Sequence, residues 1–240
     1  MVPGITRVDR RDTHRLIPAQ FADGGASVLA RLTDDEEILD GIFQLDNATN
    51  DRLLAESGQI PGIDARELVF GIPSYRIINA AFCHPRPGGS RFSSSDRGAW
   101  YAGFELPTAQ AEVVYHRRLW LEETHWQEED VAEYIDYLAD FRAEFHDIRV
   151  AEEVAKEDAK QYAECLSPSS YFASQALAAQ LLEIGSSGIV YPCVRRAAGT
   201  CIVCFRPVLV INVRKGDIFS LRFTNPKHNP TIRRLSGSRH

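Results

Sequence analysis

The apolar residues of this chain gather into short strand-like runs separated by helical segments, with no regular strand–helix–strand alternation. That irregular order argues for an α+β fold, a compact mixed sheet with flanking helices, over a doubly wound parallel sheet. Residues 75–82 (YRIINAAF) read as a strand, followed by a loop rich in proline, glycine and serine from His84 to Arg97. Residues 100–104 read as a second strand, and Pro107 suits the first turn of a helix running toward Trp120. Alternating Phe141, Ala143 and Phe145 place a strand over 134–149. A helix over 169–183 ends at Gly185, a natural stop signal. Two last strands, 201–213 and 218–223, flank Arg214-Lys-Gly-Asp217, which reads as a hairpin turn.

The first third reads as a helical preface. Thr33 and Glu36 fit a capping box, and Ile38, Leu39, Ile42, Phe43 and Leu45 form a helical apolar face. A second short helix fits 51–57, and Pro61-Gly62 ends the segment. Its acids stand where a recognition helix needs bases, which excludes a helix-turn-helix reading. From Arg214 to Arg239 seven bases meet only Asp217, and the end of the chain reads as a loosely attached basic tail. The division is therefore 1–68, a helical N-terminal extension; 69–223, the body; and 224–240, the basic tail.

Composition narrows the class. With 27 basic and 33 acidic residues among 240, the formal charge is −6, and 44% apolar content excludes a disordered chain. No run approaches the roughly 18 apolar residues of a membrane span, and MVPGITRVDRRD carries no secretory segment, so no membrane partner and a cytoplasmic location are expected. Mild acidity makes direct nucleic-acid binding an unfavoured reading. The five cysteines lack disulfide-framework spacing, and Cys201 and Cys204 form a CxxC inside an apolar β-branched run. Two further ligands at zinc spacing are missing, so core packing is expected and no metal.

Chemistry concentrates between Tyr75 and His116. Arg76 and Arg91 are suited to gripping a pyrophosphate, and the Gly88-Gly89-Ser90 loop lets backbone N–H groups approach an anion. Tyr101 offers a stacking face, and Glu112 can bond a ribose hydroxyl and stabilise positive charge at an anomeric carbon. These parts suit cleavage of the nicotinamide–ribose bond of NAD. His116, four residues after Glu112 on the same helical face, fits a supporting or packing role.

Residues 89–116, GSRFSSSDRGAWYAGFELPTAQAEVVYH, resemble the RES-domain family. Tyr75-Arg76, Arg91-Phe92, Tyr101 and Glu112 match its successive elements, and Gly188-Ile-Val-Tyr-Pro-Cys-Val-Arg195 matches a later one, with the resemblance covering about 69–207. It implies a fold similar to ADP-ribosyltransferases and a bacterial toxin that degrades NAD, with phosphate or water as acceptor. A protein ADP-ribosyltransferase toxin, or a catalytically weak nucleotide- or antitoxin-binding protein, is the alternative. NAD is then a substrate, inorganic phosphate a potential co-substrate, and no cofactor is required. A helix-turn-helix antitoxin is the implied partner, and a homo-oligomer is open. The resemblance makes Glu112, Tyr101 and Arg76 catalytic and gives Arg76, Arg91, Tyr75, Ser90, Tyr101 and Cys193 substrate contacts. Cys193 stands where the family has serine, a weaker hydrogen-bond donor in place of a hydroxyl, with Ser186 and Ser187 nearby.

Overall fold

The computed structural model describes residues 2–22, 62–149, 162–225 and 228–236. Among the described residues, seven strands form one mixed sheet with four α-helices around it. The strands are β1 (Ile5–Pro18), β2 (Trp100–Gly103), β3 (Asp130–Asp147), β4 (Gly188–Pro192), β5 (Thr200–Cys204), β6 (Ile211–Phe223) and β7 (Thr231–Ser236). The helices are α1 (Ala19–Ala22), α2 (Tyr75–Cys83), α3 (Leu106–Glu123) and α4 (Phe172–Glu183). The expected α+β class is the observed one.

The ladder runs β1-β2-β5-β4-β3-β6-β7, and β1 also pairs with β3, so five strands close into a ring. The β1–β3 seam is long, from Ile5 opposite His146 to Pro18 opposite Tyr134. The β1–β2 seam is a single pair, His14 opposite Gly103, so these two strands part beyond it. Strands β6 and β7 extend the sheet outward from β3.

Side-chain alternation along β2, β4 and β5 divides the core between the two faces of the sheet. Trp100, Ala102, Val190, Ile202 and Cys204 lie in one cluster with Ile78, Phe82, Phe141 and Phe145. Tyr191, Cys201, Val203 and Phe205 lie in another with Phe92, Leu177 and Leu181, and Tyr101 packs against it. The CxxC residues are both buried but belong to opposite faces, so they form no pair. A third cluster seats α3, through Ala109 and Leu121, on Leu16, Tyr134, Phe219 and Leu221.

Four expectations require correction. Residues 75–83 are the helix α2, not a strand. The buried set Ile78, Asn79, Phe82 and Cys83 repeats at helical spacing, and this tertiary face outweighs the local β-branched density. Asn79 fixes the helix by accepting from the N–H of Val69 (3.1 Å) and donating to its carbonyl (2.9 Å). Residues 214–217 make no hairpin: β6 runs unbroken through them, with bulges absorbed against β3. The preceding strand ends instead at Cys204, before a 3-10 turn over Pro207–Leu209, because proline cannot supply the next ladder donor.

At the N-terminus, residues 5–18 form β1 rather than part of a helical extension, buried at Val8, Thr13 and Leu16. The helices expected around Thr33–Leu45 and 51–57 lie outside the described residues. At the other end, 231–236 are not loose but pair with β6 as β7. Among the described residues no helix is long and apolar enough to cross a membrane.

Candidate functional site

Glu112 projects from α3, whose start is set by Pro107 in the first turn. Its Oε1 accepts a hydrogen bond from the Cys193 thiol at 3.3 Å. Cys193 follows β4, and its N–H donates to the carbonyl of Gly199 at 2.8 Å. A side chain at Gly199 would meet Cys193 Cβ at 3.0 Å and Thr108 Oγ1 at 2.8 Å, so glycine there lets α3 and the β4–β5 turn come together. Cys201, on β5, completes the group: Glu112, Cys193 and Cys201 place one carboxylate and two sulfur atoms within 4.8 Å of one another. Hydrogen bonding with Cys193 and burial both push the Cys201 thiol well up.

Tyr101, on β2, stands on the same face. Its hydroxyl accepts from the N–H of Phe92 (3.0 Å) and donates to Ser93 Oγ (3.1 Å), bracing the 90–93 turn. Burial pushes this phenol up to about 12, so it remains a neutral donor. Gln175 of α4 secures the turn from outside by donating to the carbonyls of Gly88, Ser90 and Ser93. Gly89 has φ +76°, and a Cβ there would sit 2.2 Å from the Ser93 carbonyl oxygen, which requires glycine. Arg91, buried, donates through Nη1 to the carbonyls of Cys165 (3.0 Å) and Ser167 (2.8 Å) and stacks over Tyr171.

Positive charge converges beside this group. Arg86 lies 3.2 Å from His116 Nδ1, one helical turn from Glu112. Burial first, then the charges of Arg86, Arg195 and Arg91, hold His116 down to about 4, so its imidazole is neutral at physiological pH. Arg195 lies over the Tyr115 ring at 3.4 Å and donates to the Pro168 carbonyl at 2.7 Å. Arg15 reaches in from β1 where β1 and β2 part, over the Trp100 ring at 4.9 Å and bonded to the Tyr101 carbonyl at 3.1 Å. Burial and the neighbouring charge of Arg86 lower it to about 10. The Nε atoms of Arg15 and Arg195 are buried without a hydrogen-bond partner. A buried donor left unpaired is costly, and the guanidinium charges of Arg86, Arg91 and Arg195 gathered around His116 are suited to a phosphate-bearing anion.

The structure thus brings together Ser90, Arg91, Tyr101, Glu112 and Cys193 of the expected residues. It does not bring Tyr75 and Arg76 to them. Both sit in the first turn of α2, which packs on the opposite sheet face, and Arg76 is exposed with its Nε 3.4 Å from the Tyr75 hydroxyl. The far end of α2, about 12 Å along its axis, leads instead to Arg86. Arg15, Arg86 and Arg195 are the residues that the sequence reading missed as site groups. Arg15 had one legible signal: it precedes Leu16-Ile17-Pro18, an apolar strand ending. A separate cavity of about 490 Å³ is lined in part by Asp12, Asp140 and Arg214, where Arg214 pairs with both carboxylates, and none of the site residues above lines it.

No curated protein matches the chain at a significant level. Among solved structures, a chain of the M. tuberculosis MbcT–MbcA toxin–antitoxin complex aligns with 13% identity and a TM-score of 0.41, covering 92% of this chain and 87% of that one. The RES domain matches residues 68–224, well over half of the sequence, and the chain belongs to the RES-domain family.

Proposed function

We propose that this protein consumes NAD by breaking the bond between nicotinamide and ribose. The observation that carries the reading is the set of arginines Arg86, Arg91 and Arg195 whose charges act on His116, one helical turn from the Glu112 carboxylate. Arg15, Arg86 and Arg195 would hold the pyrophosphate, with Arg15 taking the place the sequence reading gave to Arg76. Arg91 adds charge while bracing the 165–171 segment. The Tyr101 ring would pack on the substrate, its hydroxyl being engaged by the 90–93 turn.

In this mechanism the C1′–N bond breaks first and nicotinamide departs neutral with the bonding electron pair. The oxocarbenium-like ribosyl left behind is stabilised by the Glu112 carboxylate. Phosphate or water then forms the new C1′–O bond, and when water is the acceptor its proton passes to Glu112. The neutral His116 withholds a further positive charge from the side of Glu112. Family membership supports a toxin paired with an antitoxin protein, a role in which NAD loss is harmful until the pocket is covered. Protein ADP-ribosylation would use the same first step with a different acceptor.

The test is incubation of purified protein with NAD, with and without phosphate, following nicotinamide release and identifying the ribosyl product. Release with ADP-ribose or its 1″-phosphate as product is expected. Folded protein that releases no nicotinamide with water, phosphate or a protein acceptor would falsify the reading. Cys193→Ser is expected to raise turnover, since a hydroxyl is the better hydrogen-bond donor.

A further inference from the structure

We infer that Glu112, Cys193 and Cys201 form a binding site for zinc(II), the metal seated across the floor of the candidate active site. The CxxC spacing hides this set, because Cys204 faces the opposite core cluster. The β4–β5 turn supplies the partner instead. Tyr191 pairs with Cys201 and Pro192 with Thr200, so Cys193, just past the ladder, falls on the same face as Cys201. Helix α3 then sets Glu112 against both, with all three ligand atoms within 4.8 Å.

Ligands about 2.0–2.3 Å from a tetrahedral zinc ion lie roughly 3.5–4 Å from each other, so metal entry requires only a modest contraction of this group. Two thiolates and one carboxylate are a donor set that selects zinc over the hard cations magnesium and calcium. Three protein ligands leave the fourth position for water, the pattern of an open rather than a structural zinc site. Each thiol gives its proton to solvent as the Zn–S bonds form, and the resulting centre carries one net negative charge. Arg91 and Arg195, which act on the neighbouring His116, are placed to offset that charge.

A metal here occupies Glu112, so zinc would block the proposed NAD chemistry; that consequence, unlike the site itself, rests on the proposed function. The experiment titrates the full, reduced, chelator-treated chain with cobalt(II) and then displaces the cobalt with zinc. One equivalent per chain is expected, with near-ultraviolet thiolate-to-cobalt charge transfer and visible bands of four-coordinate cobalt. Cys193→Ser, checked for folding by circular dichroism because Cys193 is buried, is expected to weaken binding at least about tenfold. The same loss is expected for Cys201→Ser, checked for folding by circular dichroism, whereas Cys204→Ser retains the bands. Absence of charge transfer, or its persistence in the Cys193→Ser/Cys201→Ser double variant, overturns the site. If cobalt binds through both thiols while metal-free protein releases no nicotinamide, the metal site stands and the NAD reading falls.

Discussion

Arg15 and Arg76 are both arginines in the first third of the chain, yet their surroundings differ completely. Arg15 is half-buried against Trp100 and the Tyr101 carbonyl, near the charge of Arg86, whereas Arg76 is exposed in the first turn of α2. Losing one charge-assisted hydrogen bond to phosphate costs about 1.5–3 kcal/mol, or roughly tenfold to a hundredfold in binding. Arg15→Gln is therefore expected to raise KM for NAD by about tenfold or more, with Arg76→Gln changing it by less than about twofold. Steady-state kinetics on the two variants check this directly. Glu112→Gln keeps the shape of the side chain but removes the charge to which the proposed mechanism assigns stabilisation of the ribosyl cation. Nicotinamide release is expected to fall by about a hundredfold or more while the thermal transition is retained. His116 gives a pH prediction. Its folded value of about 4 lies below the ordinary 6.5, so the unfolded chain binds more protons between those limits. Stability therefore rises with pH through that window and is lost on acidification from about 6.5 toward 4, on the order of 3 kcal/mol in all. Urea midpoints measured from pH 4 to 7 are expected to slope less steeply for His116→Gln than for the parent.

At the scale of elements, α2 shows why periodicity can be read and still misassigned. The run Tyr75-Arg-Ile-Ile-Asn-Ala-Ala-Phe82 carries enough β-branched and aromatic residues to resemble a strand. Its decisive residue is polar: Asn79 is fully buried and closes two hydrogen bonds on the backbone of Val69. That clip pins the helix to the segment preceding it, a contact between residues ten apart that no local propensity anticipates. Asn79→Ala leaves the Val69 N–H and carbonyl without their partner and is expected to cost about 2 kcal/mol of unfolding free energy. Chemical denaturation measures that loss. Nicotinamide release at low temperature is expected to survive it, since Asn79 touches none of the site groups. The opposite case is the segment 100–123, where strand, turn and helix were all legible. A short apolar strand leads into a helix whose proline lies in its first turn, so local chemistry and tertiary demand agree there.

Over the whole molecule, the family match begins at residue 68, but the sheet does not. β1 completes the ring through its long seam with β3, and it also delivers Arg15. Removing residues 1–18 would expose one edge of β3 and open the closed circuit. The fragment 68–224 is therefore expected to lack a cooperative unfolding transition in urea, whereas truncation after Phe223, which removes the outer strand β7, is expected to keep one. Taken alone, the sequence was sufficient for the α+β class, the buried cysteine strand, the glycine-bearing loop between His84 and Arg97, and the elements bearing Tyr101 and Glu112. Each of these rests on short-range physics: apolar spacing, a helix-starting proline and glycines at a tight turn. Tertiary structure alone decided that β1 closes the ring, that β6 runs through Arg214–Asp217, and that Arg86 and Arg195 lie around His116, one turn from Glu112, while Arg76 sits exposed in the first turn of α2. It also decided that Cys201 faces Cys193 and not Cys204. Strand register and helix placement set these contacts between residues far apart in the chain, and neither composition nor local spacing contains that information.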